Sequence, residues 1–357
     1  LLVLTLQPHI FQSIPGYFWH FMAPHITPIP NWWFLAFVAL AGALVVGCIL
    51  KNPHRVILNL VLLISFGYVL QMSFGFMPGF GLNGIRSRLV ITGHSEFTKI
   101  AAVESDMFKI ASEYEDFCKS DTSLQYVHTK PPGQLLFYML TQKASNIINP
   151  RHTIRARFDR LVTFASIVYP LLTYLVLIPL YLFGKLISGK RDALIACCLY
   201  TVIPSVTLVT MHLDQVVYPL LFMTTAYTAA RSVELGSWKL GVVTGLLLYL
   251  AIYFSFSLLP LVPLVLGIAL ITFYSQNKGV SFLHSPIAVL GGLASGFLVL
   301  LLLALWLLDY NPITRFDAAI NYHRIWKNWQ PGIFSSLKFA GLNLIEFAWW
   351  SGLPLIA

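Results

Sequence analysis

Apolar positions run in long uninterrupted blocks along this chain, and polar positions gather in clusters between them. Blocks able to cross about 30 Å of hydrocarbon at about 1.5 Å per residue lie near 32–50, 56–77, 161–184, 192–210, 215–230, 240–256, 257–275 and 285–308, with a last one starting near 339. Pro260 and Pro263 blur the boundary between the sixth and seventh. Residues 1–31 are apolar but broken by Pro8, Pro15, Pro24, Pro28 and Pro30, with Tyr17 and Trp19 between them. That pattern reads as an interfacial or partly inserted segment. The expected fold is an all-α polytopic membrane protein with about nine transmembrane helices, forming one domain over 1–357. The chain opens on Leu1 and stops at Ala357 inside an apolar run, so both ends read as incomplete. No basic region precedes the first apolar stretch, so no signal peptide is predicted.

Two longer polar segments, 78–160 and 309–338, interrupt this series. In the first, Phe97, Ile100, Met107, Ala111, Tyr114 and Cys118 fall on one helical stripe with charges opposite. The spacing predicts an amphipathic helix lying in the membrane interface. A second is predicted after Pro132, with Leu135, Leu136, Met139, Leu140 and Ile147 on its apolar side. No internal repeat or low-complexity tract is visible.

Composition agrees with the pattern. The 357 residues are 57% hydrophobic and 10% charged, with a mean hydropathy of +0.74, a balance that excludes a soluble globular domain. The net charge of +9 does not point to nucleic acid, because the cations sit in short loops between apolar blocks. Loops at 51–55, 185–191, 231–239 and 276–279 carry Lys51, Arg55, Lys185, Lys190, Arg191, Arg231, Lys239 and Lys278, against Glu234 and the flanking Asp192. The positive-inside rule makes these loops cytoplasmic and sets 78–160 and 309–338 on the opposite face. Cys48, Cys197 and Cys198 lie in apolar runs and Cys118 alone in a polar one, so no disulfide framework or zinc pattern is expected. The spans between 161 and 308 hold almost no ionisable residue in their middles, which argues against an ion-coupled transporter.

Candidate chemistry is concentrated in 84–138. In GIRSRLVITGHSEF, Ser95 is a suitable N-cap for a helix starting at Glu96. A carboxylate in the first turn faces the positive end of the helix dipole and can act as a general base; its plainer role is to stabilise the helix start. In HTKPPGQLLFY two prolines hold Thr129 and Lys130 extended, and Pro132 suits the first position of a helix. Lys130 then stands on a rigid corner beside a helix N-terminus, suited to a phosphate, or serves as an interfacial lysine on a tight turn. Arg86 and Arg88 add cations that share a side if the backbone is extended. His94 and His128 flank the two motifs. His212 and Asp214, and His323 and Arg324, form second-rank pairs near the same face. No metal-ligand spacing is present, so no metal site is expected.

The motifs GHSEF and HTKPPG, in one loop after an early span and ahead of a regular series of spans, resemble the GT-C class of integral-membrane glycosyltransferases, notably the protein mannosyltransferase and lipid A aminoarabinose transferase group. In that group the first external loop carries an acidic residue near an aromatic, then a Lys-Pro motif before a short helix, the places held here by Glu96–Phe97 and Lys130–Pro131. The likeness extends loosely over 56–357; the tail NLIEFAWWSGLPL is also similar to bacterial members. Better-known members often have an aspartate where this chain has Gly93, His94 and Glu96. The span 32–50 is additional, and Glu104 and Asp106 are alternative acids. The resemblance implies a donor sugar on a polyprenyl phosphate, an acceptor hydroxyl on a glycan, lipid or protein, and transfer with inversion at the outer face of the plasma (inner) membrane. It implies Glu96 as base, Lys130 on the departing phosphate with help from Arg86, Arg88 or Arg324, and no metal or cofactor.

Overall fold

The computed structural model describes residues 33–76, 79–91, 95–120, 123–148, 150, 152–207, 216–275 and 286–326, with isolated positions between 332 and 344. Among these the chain is all helical, with no strand. Three helical segments are long and apolar enough to cross a membrane: Val56–Phe76, Ile154–Ser188 and Ile287–Leu308. Shorter apolar helices occupy three of the other expected spans: Ala36–Lys51, Trp238–Phe254 and Phe256–Leu270. The expected segment 1–31 and most of the one starting near 339 lie outside the described residues.

The first hairpin pairs α1 (Trp33–Lys51) with α2 (Val56–Phe76). Four short helices follow in the polar segment: α3 (Leu82–Ile91), α4 (Ser95–Val103), α5 (Met107–Ser112) and α6 (Tyr114–Ser120). The single amphipathic helix expected from Glu96 to Cys118 is therefore three pieces. The break has a local cause: the Asp106 carboxylate caps α5, accepting from the amides of Phe108 and Lys109 at 3.0 Å each. The expected stripe survives the break, with Phe97, Ala111, Tyr114 and Cys118 buried and Ile100 and Met107 partly so.

After a 3-10 turn at Val127–Thr129 comes α7 (Pro132–Ile148), then α8 (Ile154–Leu175) and α9 (Leu177–Ser188). The interruption at Val176 follows from Pro179, which has no N–H for the carbonyl of Leu175. The α7 face differs in part from expectation. Leu135 and Met139 are buried as expected and Leu136 is partly so, while Leu140 and Ile147 are exposed, the latter at 85%. Gln134, Tyr138, Thr141, Gln142 and Ser145 are buried as well, so the face that meets neighbouring helices takes in a polar stripe beside the apolar one. Thr141 shows why, sharing a 3.0 Å hydrogen bond with Tyr169 on α8.

The second half contains α10 (Lys190–Thr201), α11 (Pro204–Thr207), α12 (Tyr218–Glu234), α13 (Trp238–Phe254), α14 (Leu261–Ser275), α15 (Pro286–Leu308) and α16 (Pro312–Trp326). The ambiguous boundary near Pro260 is a 3-10 turn at Phe256–Leu258, opened by Ser255, whose hydroxyl accepts from the Ser257 amide. Helices α13 and α15 pack backbone to backbone. A Cβ built on Gly245 or Gly296 would lie 2.1 Å from the carbonyl oxygen of Leu293 or Val242, the small-residue approach familiar between helices in lipid.

The polar-segment helices share a core with α8 rather than resting apart from it: Phe97, Tyr114, Leu135, Tyr138, Leu161 and Tyr169 belong to one cluster. Phe97 stacks on Tyr138 at 5.6 Å, and Tyr138 meets Tyr169 edge-on at 5.8 Å. This cluster is the floor on which the Lys-Pro corner stands.

Candidate functional site

Residues 124–130 form a tight loop whose backbone polar groups are taken up by side chains from three helices. Glu96, in the first turn of α4, accepts from the amides of Gln125 (2.8 Å) on Oε1, and of Tyr126 (2.9 Å) and Val127 (3.3 Å) on Oε2. Tyr114 on α6 shares its hydroxyl between the carbonyls of Val127 (3.1 Å) and Lys130 (3.2 Å). From α16, the Tyr322 hydroxyl donates to the Leu124 carbonyl at 3.1 Å and the Arg315 guanidinium to the His128 carbonyl at 2.6 Å. Thr129 closes the loop on itself through its hydroxyl to the Tyr126 carbonyl at 2.9 Å. A loop satisfied in this way is held without belonging to a regular element.

Glu96 thus has a different occupation from that of an open base. Both carboxylate oxygens are engaged by backbone donors, charge-assisted bonds worth about 1.5–3 kcal/mol each. Through this one side chain the GHSEF motif is tied to the three residues immediately ahead of HTKPPG. Arg315 makes the other strong anchor. It is 2% exposed, pairs with Glu115 at 3.3 Å and lies 5.8 Å from the Tyr114 ring centre. Burying a guanidinium is costly unless it is paired and hydrogen-bonded, and Arg315 has both an ion pair and a hydrogen bond. Burial pushes the Tyr114 hydroxyl well above its ordinary pKa, with a further contribution from Cys118, so it remains a donor to the loop. Tyr322 is raised chiefly by burial and also by Glu96.

Lys130 has an extended backbone, φ −121° and ψ 154°, as the residue before proline requires. Its Nζ lies 3.5 Å from the Tyr218 hydroxyl and 5.8 Å from that ring's centre, and Tyr218 in turn donates to Gln134 at 3.2 Å. The helix start beside it is not the open anion site the sequence predicts. Pro131, Pro132 and Gly133 are buried, and a Cβ on Gly133 would stand 2.5 Å from the Tyr253 carbonyl. The glycine is needed because α13 crosses there, so the lysine rather than the helix dipole is the cationic element of the corner.

A cleft of about 140 Å³ adjoins the loop, lined by Thr129, Phe256, Phe316, Ala319, Ile320 and His323. Phe256 and Phe316 meet edge-on at 5.1 Å. His323 is exposed and packs on Trp326 at 5.8 Å; Arg324, next to it, is also exposed. His128 is buried and stacks on Tyr322 at 4.4 Å. Below the loop the hydroxyls of Tyr249, Tyr253 and Tyr310, with Nε of Arg315 and Oε1 of Glu115, are buried without a hydrogen-bond partner among the described residues.

The remaining candidates separate. Arg86 lies 3.7 Å from Asp159 of α8. Because α3 is a helix, Arg86 and Arg88 are turned about 200° apart and do not share the side an extended backbone would give them. Asp106 is a helix cap, and Glu104 is half-buried in the turn before it. His94, His212 and Asp214 lie outside the described residues. No cluster of three or more metal-ligating side chains occurs among the described residues.

Tyr218, Gln134 and Arg315 were not singled out from the sequence, and Tyr114 was placed only on an apolar stripe. A signal for α16 was present: Asn311-Pro312 is a helix opening, and Asn311 Oδ1 accepts from the amides of Ile313 and Thr314 at 2.9 and 3.3 Å. From that start, Arg315, Ala319 and Tyr322 fall on one face. Comparison with models of protein families, with curated proteins and with solved structures finds no match to this chain.

Proposed function

We propose that this chain is an integral-membrane glycosyltransferase that moves a sugar from a polyprenyl phosphate to an acceptor hydroxyl, at a site between Lys130 and the cleft lined by Thr129 and His323. The observation that carries this reading is the immobilised loop 124–130. Four side chains from three helices hold its backbone and leave Lys130 Nζ beside Tyr218, whose hydroxyl donates to Gln134. Preorganised charge is what stabilises a departing phosphate, because no reorganisation is needed when the charge develops. The exposed apolar surface, including Leu302 (60%) and Trp306 (81%) of α15, suits lipid contact, and the apolar cleft suits the first part of a prenyl chain.

In this mechanism the acceptor oxygen attacks the anomeric carbon as the bond from that carbon to the phosphate oxygen breaks. The bonding pair leaves on the phosphate, against Lys130, with Arg324 a second cation at the rim. The hydroxyl proton passes to His323, the exposed imidazole on the cleft and the side-chain type most often used for this task. Glu96 is a positioning residue, and Glu104 and Asp106 serve the local helices. The chain crosses the plasma membrane about nine times, with 78–160 and 309–338 on the non-cytoplasmic side.

The engagement of Glu96 by three amides equally suits a second reading, a non-catalytic membrane subunit whose rigid loop is a docking surface. Turnover separates the two. Purified chain is supplied with a panel of polyprenyl-phosphate sugars and mixed acceptors, alongside the His323→Asn variant. The enzyme reading expects transfer from at least one donor and a drop of about 10²–10⁴-fold without the imidazole. Absence of transfer across the panel, with the chain folded, favours the docking reading.

A further inference from the structure

We infer that the start of α8 carries a second phosphate-recognising surface, separate from the Lys130 corner, which takes the headgroup of an anionic membrane lipid. Three elements bring cations together there. Arg86 comes from α3, Lys143 from α7, and Arg155, Arg157 and Arg160 from the first two turns of α8. Both α3 and α7 pack on α8. The stretches 82–91 and 141–160 contain one acid, Asp159, and it faces Arg86 at 3.7 Å. Arg160 bonds the Asn146 side chain on α7, and Gln142 donates to the same oxygen at 3.3 Å. Lys143 and Arg155 are exposed. Arg157 is half-buried, and its Nε has no hydrogen-bond partner among the described residues.

The position of this collar identifies the occupant. The buried part of α8 begins at Leu161 and Val162, both at most 1% exposed, and the segment to Ser188 is long and apolar enough to span. The cations therefore occupy the one and a half turns immediately beyond the hydrocarbon, where phospholipid phosphates lie. On the proposed topology this is the non-cytoplasmic face, where an excess of Lys and Arg is ordinarily disfavoured; a lipid ligand supplies the compensating attraction. Guanidinium groups suit a phosphate diester through their forked donors. A protein partner of acidic character would use the same charges, but the attached apolar span makes lipid the occupant always present.

The test uses the purified full chain in detergent, titrated with phosphatidylglycerol or phosphatidylcholine, with retained lipid counted by native mass spectrometry. Each surface cation near anionic lipid is worth roughly a fivefold change in affinity. The exposed pair Lys143→Gln/Arg155→Gln should then bind phosphatidylglycerol about thirtyfold more weakly than the parent, with phosphatidylcholine unchanged. Lys119→Gln, which removes an exposed lysine elsewhere, should bind like the parent. Arg157→Gln, read separately, should weaken binding about fivefold. Equal retention of the two lipids by the parent, or equal phosphatidylglycerol binding by parent and double variant, overturns the inference. So does competition by inorganic phosphate at the same concentration as phosphatidylglycerol, which would mark a free-anion site. None of these outcomes depends on glycosyl transfer.

Discussion

At the scale of single residues, Glu96 is the most informative. A side chain serving only as a base can be exchanged for its amide with loss of turnover and little loss of stability. A carboxylate accepting from three loop amides cannot, because the glutamine NH2 would face backbone N–H donors. Glu96→Gln is therefore expected to lower stability by about 2 kcal/mol or more, with turnover falling alongside it. Thermal unfolding and transfer measured on one preparation check this; a full loss of transfer at an unchanged melting temperature contradicts it. Cys118 offers a second test. Burial pushes its thiol up to about 11, against the lowering effect of Arg315. A value raised in the folded state means that the neutral thiol contributes fully below pH 9.0 and that its contribution is lost as pH rises through about 11. At pH 9, iodoacetamide should leave Cys118 intact in the folded chain and modify it after denaturation. Modification at equal rates in both states would show that the thiol is neither buried nor shifted.

At the scale of elements, the close pairing of α13 and α15 depends on glycines that admit backbone to backbone. Gly245→Ala places a methyl 2.1 Å from the Leu293 carbonyl oxygen, so the helices must separate, at a cost of about 1–3 kcal/mol. Thermal unfolding in detergent measures this, and an unchanged midpoint argues against the close approach. The apolar blocks at 32–50, 56–77 and 285–308 become α1, α2 and α15 nearly residue for residue, because a long run without charge has few other solutions. The position of the helix start near Glu96 was legible, one residue late, and that at Pro132 followed from proline at a first helical position. The face of α7 was legible only in part. Periodicity locates a stripe but does not say whether lipid, water or protein lies against it, and the buried side holds Gln134 and Gln142 together with the expected Leu135 and Met139. Arg86 and Arg88 were placed on one side because an extended backbone was assumed where a helix forms. Arg315 lies 187 residues from the carbonyl it anchors, and a local pattern holds no record of such a contact.

At the scale of the whole molecule, the helices of the polar segment, the span α8 and the late helix α16 meet at one loop. The proposed topology sets this assembly on the non-cytoplasmic face. In a background without native cysteines, a cysteine at the exposed Ser123 should react with an impermeant maleimide in intact cells. One at the exposed Lys190, in a loop expected inside, should react only after permeabilisation. The reverse pattern inverts the chain. In the proposed mechanism the clamped loop holds Lys130 for a phosphate. The most direct measurement compares the affinity of a polyprenyl-phosphate hexose with that of the matching polyprenol, for the parent chain and for Lys130→Gln. The parent should prefer the phosphate by about tenfold or more, and the variant should lose that preference while still binding the polyprenol. Equal preference for phosphate in parent and variant would contradict the account.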